Sequence, residues 1–318
     1  MPQTYVITGG AGFIGSHIAE RLLRDGLRVK VIDNLVTGKR ENLDYLRSLN
    51  GDLSITVGSI TDLETLQSLF RGADYIMHQA ALPSVPRSIA HPLETHRHCV
   101  TGTLNVLIAA RDCDAKRVVY AASGSAYGNR ANGTKTESQT PAPISPYGVA
   151  KLAGEYYCAA FSHSFGLETV SLRYFNVFGP RQDPHSTYAA AIPKFINQML
   201  GGQRPTIYGD GQHSRDFTYV DNVVHGNLLA CKAPKAVGQT INLAAGGRIT
   251  ISELVAQLNA IIGSQLAPMH AAERPGDIRH SQADMTKAGE LLGYEPIIDF
   301  AEGLRRTVDW FRNVPPVG

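Results

Sequence analysis

The strongest constraint on this chain lies at its start, where Tyr5-Val6-Ile7-Thr8 runs into Gly9-Gly10-Ala11-Gly12-Phe13-Ile14-Gly15 and then into a helical pattern. An apolar run, a glycine loop and a helix in that order ask three things of the backbone. The chain must turn tightly, bring N–H groups up to a pyrophosphate, and let the helix pack close to the strand. The spacing is GxxGxxG, so Gly9, Gly12 and Gly15 fill those roles and Phe13 and Ile14 open the helix. The next apolar run, Val29-Lys30-Val31-Ile32, ends on Asp33. A carboxylate there accepts both ribose hydroxyls of an adenosine and repels a 2′-phosphate. That favours NAD over NADP, with Lys39 and Arg40 weighing against it.

The alternation continues. Strand-like runs at Tyr5–Thr8, Arg28–Asp33, Ser54–Val57, Asp74–His78, Arg117–Ala121 and Glu168–Arg173 are separated by helix-period segments, among them Ile14–Asp25, Asp62–Phe70 and Glu94–Ala110. Near-continuous apolar strands alternating with helices predict an α/β fold with a doubly wound parallel sheet, of Rossmann type. After about residue 175 the rhythm loosens. Capping patterns at Thr250-Ile251-Ser252-Glu253 and Asp299-Phe300-Ala301-Glu302 then restart helices. The expected organisation is residues 1–174 plus about 214–243 as the NAD-binding domain, with Ser214–Val220 as a strand returning to the main sheet. About 175–213 plus 244–318 form a smaller C-terminal substrate-binding domain.

Composition narrows the class. The 318 residues carry a formal net charge of +2, far from a nucleic-acid or membrane-surface signature. No apolar run reaches the roughly 18 residues of a membrane span, and no basic, apolar leader opens the chain. Cys99, Cys113, Cys158 and Cys231 lack metal-ligand spacing and read as reduced thiols of a cytoplasmic protein, with no metal.

Arg117–Ala122 delivers Ser123-Gly124-Ser125-Ala126-Tyr127-Gly128 at the carboxyl edge of the sheet, where such folds bind ligands. Further on, Ser145-Pro146-Tyr147-Gly148-Val149-Ala150-Lys151 opens a long helix, with Ser145 as N-cap and Pro146 at the first helical position. Tyr147 and Lys151 then share a face, one turn apart. A phenol titrates near 10, so a Tyr base at neutral pH needs about 4 kcal/mol of help from nearby cations. Lys151 and an oxidised nicotinamide are the expected sources. Ser123 orients the same substrate oxygen, giving Ser123, Tyr147 and Lys151 as the catalytic set.

Together these residues resemble the extended short-chain dehydrogenase/reductase family, in its UDP-glucose 4-epimerase branch, nearest the members that prefer N-acetylhexosamines. The likeness extends to Asp33-Asn34-Leu35, His78-Gln79-Ala80-Ala81, Arg173–Arg181, Gly209-Asp210-Gly211, Arg215-Asp216-Phe217 and Arg274-Pro275-Gly276-Asp277. It implies NAD contacts from the glycine loop, Asp33, Asn34, Ser59, Ile60, Gln79, Ala80, Ala81, Tyr147 and Lys151. It implies UDP-sugar contacts from Ser84, Val85, Ser123, Ser125, Tyr147, Asn176, Ala190, Ile192 and Tyr208. Arg215 and Arg274 would take the phosphates, Asp277 the uridine ribose, and Ser281 the C2 substituent. Two arginines suit a diphosphate, because each can fork onto its oxygens. A homodimer built on the helices Glu94–Ala110 and Ser145–Phe165 is also implied.

Two departures stand out. Ser59 replaces an Asp of many relatives, and Cys99 replaces an Asn with a poor hydrogen-bonder. Without a visible base or charge partner, Cys99 reads as a small buried residue. Gly124 and Ser125 stand where dehydrating and decarboxylating relatives carry carboxylates, which leaves epimerisation at C4. The small Ser281 admits an N-acetyl group, so UDP-GlcNAc and UDP-GalNAc or their uronic acids are expected, with some activity on UDP-glucose and UDP-galactose. Arg181 leaves a uronic acid open, since it either meets a carboxylate at C6 or anchors its own loop. A UDP-glucuronate 4-epimerase, another nucleotide-sugar epimerase or dehydratase, and a non-catalytic NAD or nucleotide-sugar sensor are the alternatives.

Overall fold

The computed structural model describes residues 2–129, 133–184, 191–273 and 279–313. Its centre is a seven-stranded sheet whose order is Gln239–Leu243, Glu168–Tyr174, Arg117–Ser123, Tyr75–His78, Thr4–Thr8, Arg28–Asp33, Leu53–Val57. Every neighbouring pair is parallel. The chain winds outward from Thr4–Thr8 through two strands, then crosses back and winds the other way. The crevice therefore opens between the carboxyl ends of Thr4–Thr8 and Tyr75–His78, the switch point where such sheets take ligands.

Each face is sealed by its own apolar cluster. One joins Ile18, Leu22, Val29, Met77, Val119 and Leu172; the other joins Val6, Leu66, Phe70, Val118, Tyr120 and Phe161. The strand Arg117–Ser123 is buried from Arg117 to Ala122, as expected of a central strand covered on both faces.

All six expected strands form, and the seventh is Gln239–Leu243. Ser214–Val220 does not return to the main sheet, contrary to the sequence expectation. Ser214–Arg215 lies instead in a second sheet ordered Ile249–Thr250, Ser214–Arg215, His280–Ala283, Thr134–Lys135, while Thr218–Tyr219 pairs with Val177–Phe178. Two-residue strands carry too few alternations to announce their partner, so tertiary pairing decides. The expected helix Glu94–Ala110 is also interrupted. Pro92–His96 passes through a π turn at Arg97–Thr101 before Gly102–Asp112. Such bulges cluster at functional sites, and this one carries Cys99.

The caps follow the sequence. Ser145 accepts from Gly148 N at the start of Pro146–Phe165, and Thr250 with Glu253 forms a complete capping box. Asp299 supplies half of one, accepting from Glu302 N at 2.8 Å.

Candidate active site

The glycine loop lines the crevice. Gly9 has φ +74°, and a Cβ there would stand 2.7 Å from Ala80 N across the switch point. A Cβ on Gly15 would run into the Gly9 carbonyl oxygen, so helix Phe13–Arg24 sits against the loop only because that position is glycine. Gly12 caps the helix without a side-chain acceptor, and the first turn holds no acid. The leading N–H groups, at Phe13 and Ile14, are thus left for an anion.

Asp33 is 8% exposed; its Oδ2 accepts from Ala11 N at 3.0 Å and its Oδ1 from Leu35 N at 2.8 Å. Burial pushes its pKa up, and those N–H groups pull it back. Each oxygen keeps a lone pair for a ribose hydroxyl. Asn34 holds its own turn by accepting from Val36 N, and Lys39 is drawn off to Asp183 at 3.3 Å. The Ser59 hydroxyl is committed within its turn to Thr61, at 2.9 Å to Oγ1. Ile60 is buried against Gly102. The Gln79 amide donates to Tyr174 and Asn227, so its backbone, with Ala80 and Ala81, forms the crevice floor.

A buried chain of hydrogen bonds lies under that floor. Ala80 N donates to Thr8 Oγ1, which meets His78 Nδ1 at 2.8 Å; His78 Nε2 meets Thr103 Oγ1 at 3.0 Å, and Thr103 donates to the Cys99 carbonyl at 2.7 Å. The Thr103 hydroxyl gives its one proton to Cys99, so His78 Nε2 must be the donor and Nδ1 the acceptor. Burial, with Lys151 second, pushes the His78 pKa down to about 3, which keeps the ring neutral.

Ser123, Tyr147 and Lys151 converge as expected. Ser123 closes its strand and accepts from Ser125 N at 3.1 Å, and its hydroxyl lies on the Tyr147 side, where it partly offsets the rise of that phenol. Lys151 is 3% exposed, donates to Ala121 O at 2.8 Å and lies 5.0 Å from the Tyr120 ring centre. The electrostatics differ from expectation. Burial, then Cys99, pushes the Tyr147 phenol up, offset by Ser123; Lys151 does not contribute. Lys151 is itself held down by burial. Tyr147 therefore rests as a neutral phenol. Cys99 is buried as expected, accepting from Leu82 N at 3.4 Å beside Ala150, and it lies near enough to Lys151 to act electrostatically on it.

Around the sugar end, Ser84 caps the helix starting at Val85 by accepting from Arg87 N at 3.1 Å. Asn176 takes φ +34° and donates to Asp216 O at 3.1 Å. Arg215 donates to Ser214 O and stands in register with Ser281, which is 8% exposed. Tyr208 ends a strand paired with Met269–Ala271. Ile192 is core, packed with Phe178, Phe195 and Leu254. Ala190, Arg274 and Asp277 lie outside the described residues.

Arg181 anchors its loop. Its guanidinium pairs with Glu20 at 2.8 Å and lies over the Tyr45 ring at 5.0 Å. Sequence reading missed a buried ion pair, Arg173 with Glu155, bonded at 2.9 and 2.6 Å. Glu155 lies one turn past Lys151, the signal that was available.

The fold is that of a nucleotide-binding α/β enzyme of Rossmann type, with Ser123, Tyr147 and Lys151 at the carboxyl edge of its sheet. The chain belongs to the NAD dependent epimerase/dehydratase family, whose model matches residues 5–244. It is 36% identical over 97% of its length to a UDP-glucose 4-epimerase of Mycolicibacterium smegmatis, covering 98% of that protein. Its structure superposes on a UDP-N-acetylglucosamine 4-epimerase of Methanobrevibacter ruminantium in complex with UDP-N-acetylmuramic acid, with TM-score 0.93, 41% identity and 98% of both chains covered. A UDP-glucose 4-epimerase of Thermotoga maritima with UDP-glucose gives TM-score 0.92 and 38% identity, over 98% of this chain and 99% of that one.

Proposed function

We propose that this protein, an NAD-dependent UDP-sugar 4-epimerase, acts chiefly on N-acetylated UDP-hexoses, interconverting UDP-GlcNAc and UDP-GalNAc with weaker action on UDP-glucose and UDP-galactose. The observation that carries the sugar choice is Ser281. It is small, lies in register with Arg215, and holds the position that the family resemblance assigns to the C2 substituent, where a bulky side chain would exclude an acetamido group. The solved UDP-N-acetylglucosamine 4-epimerase supports the same choice.

The glycine cradle and Asp33 fit NAD, which when bound takes up and returns the hydride at the sugar's C4. Tyr147 removes the C4 hydroxyl proton as the hydride leaves, and gives it back to the re-formed alcohol. Ser123 holds that oxygen. Burial keeps Tyr147 protonated in the free protein, so bound NAD would supply the nearby positive charge that favours the phenolate. Arg215, Asn176 and Arg274 grip the diphosphate, so the 4-keto sugar can turn over while the nucleotide stays fixed. Residues 1–174 with about 220–243 then serve chiefly the cofactor, and the second sheet, Arg215 included, the sugar nucleotide.

A second copy of the chain fits the outer face of Pro146–Phe165. Leu93, Ile144 and Val149 line one apolar hollow there and Tyr156 lies two turns further along the helix; the four are 84, 63, 54 and 62% exposed.

The test is a proton NMR assay of the purified protein with UDP-GlcNAc and no added NAD. The UDP-GalNAc anomeric signal is expected. Its absence, with and without NAD, while UDP-glucose is converted, refutes the sugar choice; silence on every UDP-sugar refutes the reaction.

A further inference from the structure

The second sheet carries a cation that the mechanism does not use. Lys135 is 2% exposed, yet its ammonium has one long hydrogen bond, to Gly128 O at 3.5 Å. Among the described residues no carboxylate pairs with it. The nearby Glu137 is engaged with Asn242 N, at 2.7 Å. Its other neighbour is the Tyr127 ring, 5.8 Å away, and Arg173 already lies 4.5 Å from the centre of that ring. A buried ammonium with unused donors is costly unless an anion meets it.

The register shows where such an anion would lie. Arg215 pairs with Ser281, and Ala283 pairs with Lys135, all in parallel. Side chains alternate along a strand and paired residues share a face. Arg215, Ser281, Ala283 and Lys135 therefore line one face, with strands about 4.8 Å apart. Crossing that face from Arg215, one reaches Ser281 and then Lys135. If Arg215 takes the phosphates and Ser281 flanks the sugar, as proposed above, Lys135 lies beyond the sugar, and it is close enough to Arg215 for the two charges to repel.

We propose that Lys135 is a specificity-determining cation that receives a carboxylate carried by the sugar, so that the pocket accepts acidic UDP-hexoses beside neutral ones. This rests on the UDP-sugar reading above and deepens it. Arg181 is excluded from that role by its pairing with Glu20.

The experiment compares kcat/KM for UDP-GlcNAc and UDP-N-acetylglucosaminuronate in the wild type and in Lys135→Met, with Lys135→Arg as the charge-keeping variant. Calorimetric binding of both nucleotides is measured alongside. Lys135→Met is expected to lower the acid-to-neutral ratio at least tenfold, with UDP-GlcNAc turnover within threefold of wild type and part of the ratio restored by Lys135→Arg. An equal loss on both nucleotides, or no change on either, overturns the proposal. Should Lys135→Met not fold, the wild type still decides: tighter binding of UDP-GlcNAc than of the acid by tenfold or more also overturns it. If the wild type turns over neither nucleotide, the epimerase reading fails, and the two affinities still decide the role of Lys135.

Discussion

Replacing Glu155 by Gln removes one charge and almost no volume from the most buried ion pair described. Arg173 and Glu155 are 4 and 3% exposed at the side chain, and two hydrogen bonds of 2.9 and 2.6 Å join them. Nη1 of Arg173 already lacks a partner, so no spare acceptor can take over the donor that the amide nitrogen turns away. The Tyr127 ring over the guanidinium remains, but a ring face replaces little of a carboxylate. Leaving a buried guanidinium uncompensated costs about 3–5 kcal/mol. For larger domains each kcal/mol lowers Tm by about 2–4 °C, so the fall expected for Glu155→Gln is about 6–20 °C. Urea unfolding followed by far-ultraviolet circular dichroism measures the loss directly. The double variant Glu155→Leu/Arg173→Met should recover most of it, because removing both charges also removes their desolvation cost. A single-variant cost under about 1 kcal/mol, well below the usual range for such a break, or a double variant that loses the sum of both singles, would refute the reasoning.

Gly15→Ala should leave the protein folded but cut NAD affinity at least tenfold, read from the NAD content of purified protein, since its methyl must push the helix off the loop. Unchanged NAD content would mean the cradle is not where the pyrophosphate sits. Ser281→Tyr is expected to lose UDP-GlcNAc turnover selectively, with UDP-glucose turnover retained in the same NMR assay; equal losses would count against the gate. Below pH 6.5 the wild type should lose stability, because His17 and His78 are held near 3 when folded but take a proton when unfolded, about 1.4 kcal/mol per pH unit for each. Asp216, pushed up to about 6, works in the opposite sense below that pH, so the informative quantity is the difference between wild type and His17→Gln in urea midpoint. From pH 6.5 to pH 5 the midpoint of His17→Gln should rise relative to that of the wild type, since only the wild type loses the His17 contribution; a constant difference would show that His17 is not buried neutral.

Much of this protein is written in its local pattern. The glycine spacing, the acid ending the second strand, the serine closing the central strand and the Tyr/Lys pair one helical turn apart each depend only on neighbours in sequence. Their geometry follows from strand and helix periods. So did the parallel sheet and the caps at Ser145 and Thr250. What those patterns could not supply is whatever depends on residues far apart meeting. The two-residue strand Ser214–Arg215 finds its partners in His280–Ala283 and Ile249–Thr250. Arg181 turns to Glu20 because Tyr45 and the loop after Pro180 pack there. Cys99 sits in a π turn, and Lys135 shares a face with Ser281 through a register set by Ala283. The state of Tyr147 was beyond sequence for the same reason. Spacing placed its lysine one turn away, but burial, which only the packed fold creates, is what holds its proton.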